Sequence, residues 1–98
     1  MIRTFRDPGA EDIFNARDSK RARKSCPPNS WAVARRKLEL LDSAGALADL
    51  RIPPANRLET LKGDRRGQHS IRVNDQYRIC FVWTELGPAQ AEIADYHD

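Results

Sequence analysis

From Arg57 onward the chain steps between apolar and polar residues in twos, and turn-forming residues interrupt the alternation at short intervals. A period of two belongs to strands, whose successive side chains point to opposite faces of a sheet. Residues 57–61 are one predicted strand. Lys62-Gly63-Asp64-Arg65-Arg66-Gly67 is a turn in which glycine supplies unusual backbone angles. Residues 69–73 and 76–83 are further strands, joined at Asn74-Asp75 by a predicted two-residue hairpin turn. Leu86-Gly87-Pro88 turns the chain again, and 89–97 forms the last strand.

The first half reads differently. Residues 2–5 alternate and predict a short strand that Asp7-Pro8-Gly9 breaks. Asp7 before Pro8 is a helix start, so 10–17 is a short predicted helix with Ile13 and Phe14 facing inward. The polar, basic stretch 18–28 is expected to be flexible. Trp31, Ala34, Leu38 and Leu41 recur at spacings of three and four and predict a helix over 31–44. Asn29 or Ser30 is its expected cap and Gly45 its stop. Residues 46–50 add a turn before Pro53-Pro54 extends the chain. Helices followed by a run of antiparallel strands specify an α+β fold in which helices cover one face of the sheet. A chain of 98 residues makes a single domain.

The net charge of +3 is mild, but its distribution is uneven. Lys62, Arg65, Arg66, Arg72 and Arg78 stand against Asp64 and Asp75 in one stretch, an electrostatic footprint for a polyanion. The basic cluster 17–24 reads better as a solvated face. No apolar run reaches membrane-span length, and the start has no signal-peptide pattern, so the expected compartment is the cytoplasm with no membrane contact. Cys26, His69, Cys80 and His97 match no zinc spacing; reduced thiols are expected, with Cys80 in the core and no cofactor. Walker, dinucleotide and nucleophile motifs are absent.

Alternation places Arg78 opposite the face of Ile79 and Phe81. There it either pairs with a carboxylate such as Glu92 or Asp95, or clamps phosphate with its planar fork. The chain ends Asp95-Tyr96-His97-Asp98. His97 can act as general acid or base near neutral pH, Tyr96 can stack on a nucleobase, and Asp95 can orient a neighbour. Lys62 can bind phosphate as a point charge, and Glu59 is a possible base. Arg65, Arg66, His69 and Arg72 are candidate RNA contacts, although a surface histidine is the plainer reading of His69. Paired carboxylates at metal-site spacing are not evident. Phosphodiester cleavage by such a chain would therefore use the substrate's own 2′-hydroxyl without metal.

Leu61-Lys62-Gly63-Asp64-Arg65, Ser70 through Phe81, and Asp95-Tyr96-His97 resemble, in this order and spacing, the HigB toxins of the RelE/ParE superfamily. The start, Met1-Ile2-Arg3-Thr4-Phe5, resembles that family's first strand. The resemblance implies a curved antiparallel sheet of four to five strands with two or three helices on one face. It implies a growth-inhibiting endoribonuclease acting on mRNA at the ribosome. It also implies a helix-turn-helix antitoxin, HigA-like, through which alone operator DNA is contacted. By position, Lys62 and Arg78 correspond to phosphate-binding or transition-state groups, and Asp95, Tyr96 and His97 to a C-terminal catalytic cluster. One departure matters: Glu59 stands where well-matched members carry histidine. A carboxylate cannot do imidazole's work unaided at neutral pH, so slower or differently tuned cleavage is expected. Readings from other classes are a ParE-like gyrase inhibitor without catalysis and an inactive antitoxin-binding module.

Overall fold

The computed structural model describes residues 1–95. The Asp7 side chain caps the first helix by accepting from the Gly9 N–H at 2.9 Å, with Pro8 at the first helical position. This helix, α1 (Pro8–Phe14), ends earlier than predicted because the chain turns left-handed at Ala16, φ 59°. Ala10 and Ile13 are buried, and the Phe14 ring lies 5.8 Å from that of Phe5.

The stretch expected to be flexible is instead ordered around a second helix, α2 (Lys20–Ser25). One of its charges, Arg21, is tied to α1, while Arg23 pairs with Asp18 and the basic side chains of 17–24 stay exposed, as a solvated face predicts. Buried Asp12 accepts from Arg21 Nε at 3.0 Å, Arg21 Nη2 at 2.8 Å and Ser19 Oγ at 2.6 Å. Ser19 in turn caps α2 at Ala22, and Ser25 Oγ donates to Asp7 at 2.6 Å. The Arg21 hydrogen bonds, then that of Ser19, hold the Asp12 carboxyl below the usual aspartate range.

α3 (Trp31–Ser43) buries the predicted stripe of Ala34, Leu38 and Leu41. Neither expected cap bonds its N-terminus. A 3-10 turn, Pro28–Ser30, leads straight into the helix. Further 3-10 turns, Leu47–Arg51 and Pro54–Asn56, bury Leu50 and Asn56.

The sheet has four strands in the order β1 (Glu59–Thr60), β2 (His69–Arg72), β3 (Tyr77–Thr84), β4 (Gly87–Asp95), each antiparallel to the next. Two predicted strands are reduced. β1 begins late because Arg57 is left-handed, φ 45°. Residues 2–5 form no strand of their own. They run beside β4 with one parallel bridge, Phe5 to Ala91, and bonds such as Arg3 N–H to the Pro88 carbonyl at 2.8 Å. That contact covers an edge which would otherwise be open to pairing.

The β2–β3 connection is also longer than two residues. The Asn74 side chain accepts from the N–H groups of Gln76 (2.9 Å) and Tyr77 (2.8 Å), so a side-chain-closed turn replaces the two-residue hairpin. A bulge between Cys80 and Val82 shifts the β3–β4 register.

Ile71, Ile79, Phe81, Ala91 and Ile93 join the helical residues Ala10, Ala22 and Leu38 in one core. The opposite face carries a small cluster of Leu61, Cys80 and Ala94. Among the described residues, no helix is long and apolar enough to cross a membrane.

Candidate functional site

Strand register decides which side chains share the second face. Glu59 lies opposite Ser70, Ser70 opposite Cys80, Cys80 opposite Glu92, and Arg72 opposite Arg78, which itself faces Ala94. Arg78 therefore reaches diagonally over β2 toward β1. Its Nε donates to Ser70 Oγ at 2.8 Å, and its Nη2 donates to the Arg57 carbonyl at 2.6 Å and stands 3.9 Å from Glu59 Oε1. The Arg78 side chain is only 13% exposed, whereas that of Glu59 is 43% exposed. A shielded, oriented cation thus lies beside a carboxylate that solvent and substrate can reach.

The carboxylate beside Arg78 is thus Glu59, not Glu92 or Asp95, the examples that the ion-pair reading of Arg78 named. Glu92 instead bridges Arg65 at 3.5 Å and Arg6 at 3.6 Å. Asp95 lies opposite Tyr77, on the side of Ile79, and accepts from Gln76 Nε2 at 3.0 Å. The β3–β4 register, which sets Ala94 opposite Arg78, separates it from the Arg78 side.

His69 is likewise on the helix-facing side. Its Nδ1 is 3.1 Å from Thr60 Oγ1 and its ring 6.0 Å from that of Phe81, in a cleft with Leu47, Arg51 and Leu58. It does not share a face with Arg78. Arg72 shares that face but pairs with Asp75. Lys62 and Arg66 are exposed and flank the 3-10 turn Gly63–Arg65, where Gly63 takes φ 63°. Tyr96 and His97 lie outside the described residues.

Cys80 forms the floor between these charges. Burial pushes its thiol up to about 11, with Arg65, Glu92 and Arg78 all acting on it. Cys26, buried in the main core, is also raised to about 11, by burial and then by Asp7. Both thiols are free and poorly nucleophilic. Among the described residues, no three His, Cys, Asp or Glu side chains gather at metal-binding separation.

Two groups that hold Arg78 were missed in the sequence. Ser70 is fully buried, and its signal was available: it sits on the Arg78 face in the neighbouring strand. The Arg57 carbonyl had no signal, because its direction depends on a left-handed backbone at a non-glycine residue. Chemically, the arrangement offers phosphate oxygens a fixed positive charge, held in place through its Nε and Nη2 donors, next to a proton acceptor.

The family model described as "RelE-like toxin of type II toxin-antitoxin system HigB" matches residues 3–98. The chain belongs to the HigB-like toxins. It is 46% identical over 85 residues to Toxin HigB-1 of Vibrio cholerae, spanning 87% of this chain and 86% of that one. An uncharacterized protein of Haemophilus influenzae is 44% identical over 57 residues, 58% of this chain and 56% of the relative. In three dimensions this HigB-like toxin is similar to a chain of the YoeB–YefM complex from Staphylococcus aureus. That match has a TM-score of 0.59 at 18% identity, covering 100% of this chain and 99% of the other, and shows a RelE-like α+β fold.

Proposed function

We propose that this HigB-like toxin is an endoribonuclease that cuts mRNA on the translating ribosome and so arrests translation and growth. The observation that carries the reading is the Arg78 guanidinium, locked by Ser70 and the Arg57 carbonyl beside Glu59. A cation fixed before the reaction offsets charge on the phosphorane without reorganising during it.

In the proposed reaction a ribose 2′-oxygen attacks the adjacent phosphorus as its proton passes to a base. The P–O5′ bond breaks, and the 5′-oxygen takes a proton from an acid. The products are a 2′,3′-cyclic phosphate and a 5′-hydroxyl. Arg78 and Lys62 offset the phosphorane charge. His97 and Glu59 exchange the protons, and Tyr96 positions a base. Glu59 suits the Arg78 side better than Asp95, which points to the other face. Arg65, Arg66 and Arg72 hold the RNA backbone; His69, on the far side of the sheet, is better assigned to packing. No metal is needed in this scheme, because the substrate supplies the nucleophile.

The proposed partners are mRNA, the ribosome and a helix-turn-helix antitoxin that also carries the operator contact. Support for an antitoxin comes from family membership, since the matching description is that of a type II system. The expected compartment is the cytoplasm, where translation occurs.

Toeprinting in a translation extract tests the reading. The wild-type chain should generate breaks in translated mRNA, a 2′-deoxy substitution at the cut site should abolish them, and Arg78→Ala should lower the rate by about 100-fold or more. Full cleavage by a folded Arg78→Ala protein contradicts the assignment. Growth arrest with DNA-damage signalling and intact mRNA points to gyrase instead.

A further inference from the structure

A second group of charges stands on the Arg78 side of the sheet. Glu92 lies opposite Cys80 in the β3–β4 register. Its Oε2 is 3.5 Å from Arg65 Nη1 and 3.6 Å from Arg6 Nη1. The two arginines come from distant parts of the sequence. Arg65 ends the 3-10 turn Gly63–Arg65 that follows β1. Arg6 follows the bridge of Phe5 to Ala91 that lays the N-terminal segment along β4. Phe5 packs against the main core, and its neighbour Arg6 turns to the other face to meet Glu92. The Cys80 thiol, raised first by burial, also feels Arg65, Glu92 and Arg78, so these charges surround one floor residue.

A carboxylate on a face that serves a polyanion needs a reason, because it repels phosphate. Its use here is local. Two guanidiniums side by side repel each other, and Glu92, itself only 18% exposed, holds both. Two arginines against one carboxylate leave the spot positive. The Arg6 contact runs through a single nitrogen and is too long for a hydrogen bond, so it orients the side chain without using its planar fork. Arg6 is 60% exposed, and among the described residues its guanidinium meets no other side chain.

We propose that Arg6 and Arg65, held together by Glu92, form a subsite for a phosphate that flanks the scissile one on the same RNA strand. The inference rests on the nuclease reading above. The Arg78 head group lies over β2, bonded to Ser70, and Glu92 stands on β4. Two strand spacings separate them, about 10 Å, which an extended strand covers in one or two nucleotides. Arg6 is then a binding residue and Glu92 a positioning residue.

The test measures binding apart from cleavage. The probe is a ribosome programmed with mRNA whose decoded codon carries 2′-deoxy sugars, so that it is bound without being cut. Neutral methylphosphonates replace the phosphates in and beside that codon, one at a time. One replacement should weaken binding of the full wild-type chain by about 10-fold, as for a lost bond to a charged group. Arg6→Gln should weaken binding to the unsubstituted linkages by about as much and add little at that one, since both changes remove the same contact. Arg78→Ala should couple in the same way to a different linkage. Glu92→Gln should also weaken binding although it removes a negative charge; a carboxylate that only repels phosphate predicts tighter binding. Equal thermal midpoints establish folding, and Arg6→Gln, at an exposed position, decides alone if Glu92→Gln melts early. Effects that multiply at every linkage overturn the proposal and place Arg6 against the ribosome instead. So do wild-type binding by Arg6→Gln, and coupling of Arg6 and Arg78 to one shared linkage. A wild-type chain that binds but leaves all-ribose mRNA intact sinks the nuclease reading, while the linkage comparison still judges the subsite. One that does not bind programmed ribosomes overturns both.

Discussion

Arg78 shows how much one side chain depends on its neighbours. Its charge is guaranteed by chemistry, but its direction is set by Ser70 Oγ and the Arg57 carbonyl. A hydrogen bond to a charged group contributes about 1.5–3 kcal/mol, so Ser70→Ala should slow single-turnover cleavage by about 10-fold or more. Ser70→Thr should restore most of the rate, which a merely structural cavity would not predict. Arg78→Lys keeps the charge and loses the fork, and should fall close to Arg78→Ala. Glu59 is the other residue-scale question. Replacing it by the imidazole that the family resemblance implies for this position, Glu59→His, should accelerate cleavage near neutral pH; equal rates remove the argument that the carboxylate retunes the reaction.

At the scale of elements, the α1–α2 pair combines shared apolar burial of Ala10, Ile13 and Ala22 with the polar bonds around Asp12 and Asp7. Gly9 lets the helices touch. A Cβ there would meet Ser25 Oγ at 2.1 Å and the Arg21 carbonyl oxygen at 2.2 Å. Backbone cannot yield as a flexible side chain can, so Gly9→Ala should destabilise by about 1–3 kcal/mol, read from the urea midpoint. Asp12 adds a pH dependence. Its folded pKa is depressed, so its contribution is present above the unfolded aspartate value and is lost as pH falls through the lower folded one. Between pH 6 and pH 3 the wild-type urea midpoint should therefore fall further than that of Asp12→Asn. Equal slopes would show that the Arg21 and Ser19 bonds do not favour the ionised form.

At the scale of the molecule, a single core joins α1, α2, α3 and the sheet. Cys26 and Cys80 report on it from different places, one at the end of α2 and one on the far face of the sheet. Both thiols are buried and raised to about 11. Alkylation at neutral pH should be slow for both in the native protein and should rise for both at the same denaturant concentration, as one cooperative domain requires. Separate midpoints would divide the chain into independently opening units.

Periodicity and punctuation between near neighbours were enough for α1, for α3 and its core stripe, for the run of strands after Arg57 and for the division of β3 into a face with Ile79 and Phe81 and a face with Arg78 and Cys80. The blocks from Leu61 to Arg65 and from Ser70 to Phe81 were enough for the family. These are local properties, written in residues a few positions apart. What needed the folded chain was every choice among distant partners. The order of 18–28 came from Asp12, and the partner of Arg78 came from β1. The separation of Asp95 and His69 from Arg78 followed from strand register. A charged side chain has several candidate partners of similar chemistry along the sequence. Only the placement of strands and helices in space decides which of them lies within reach.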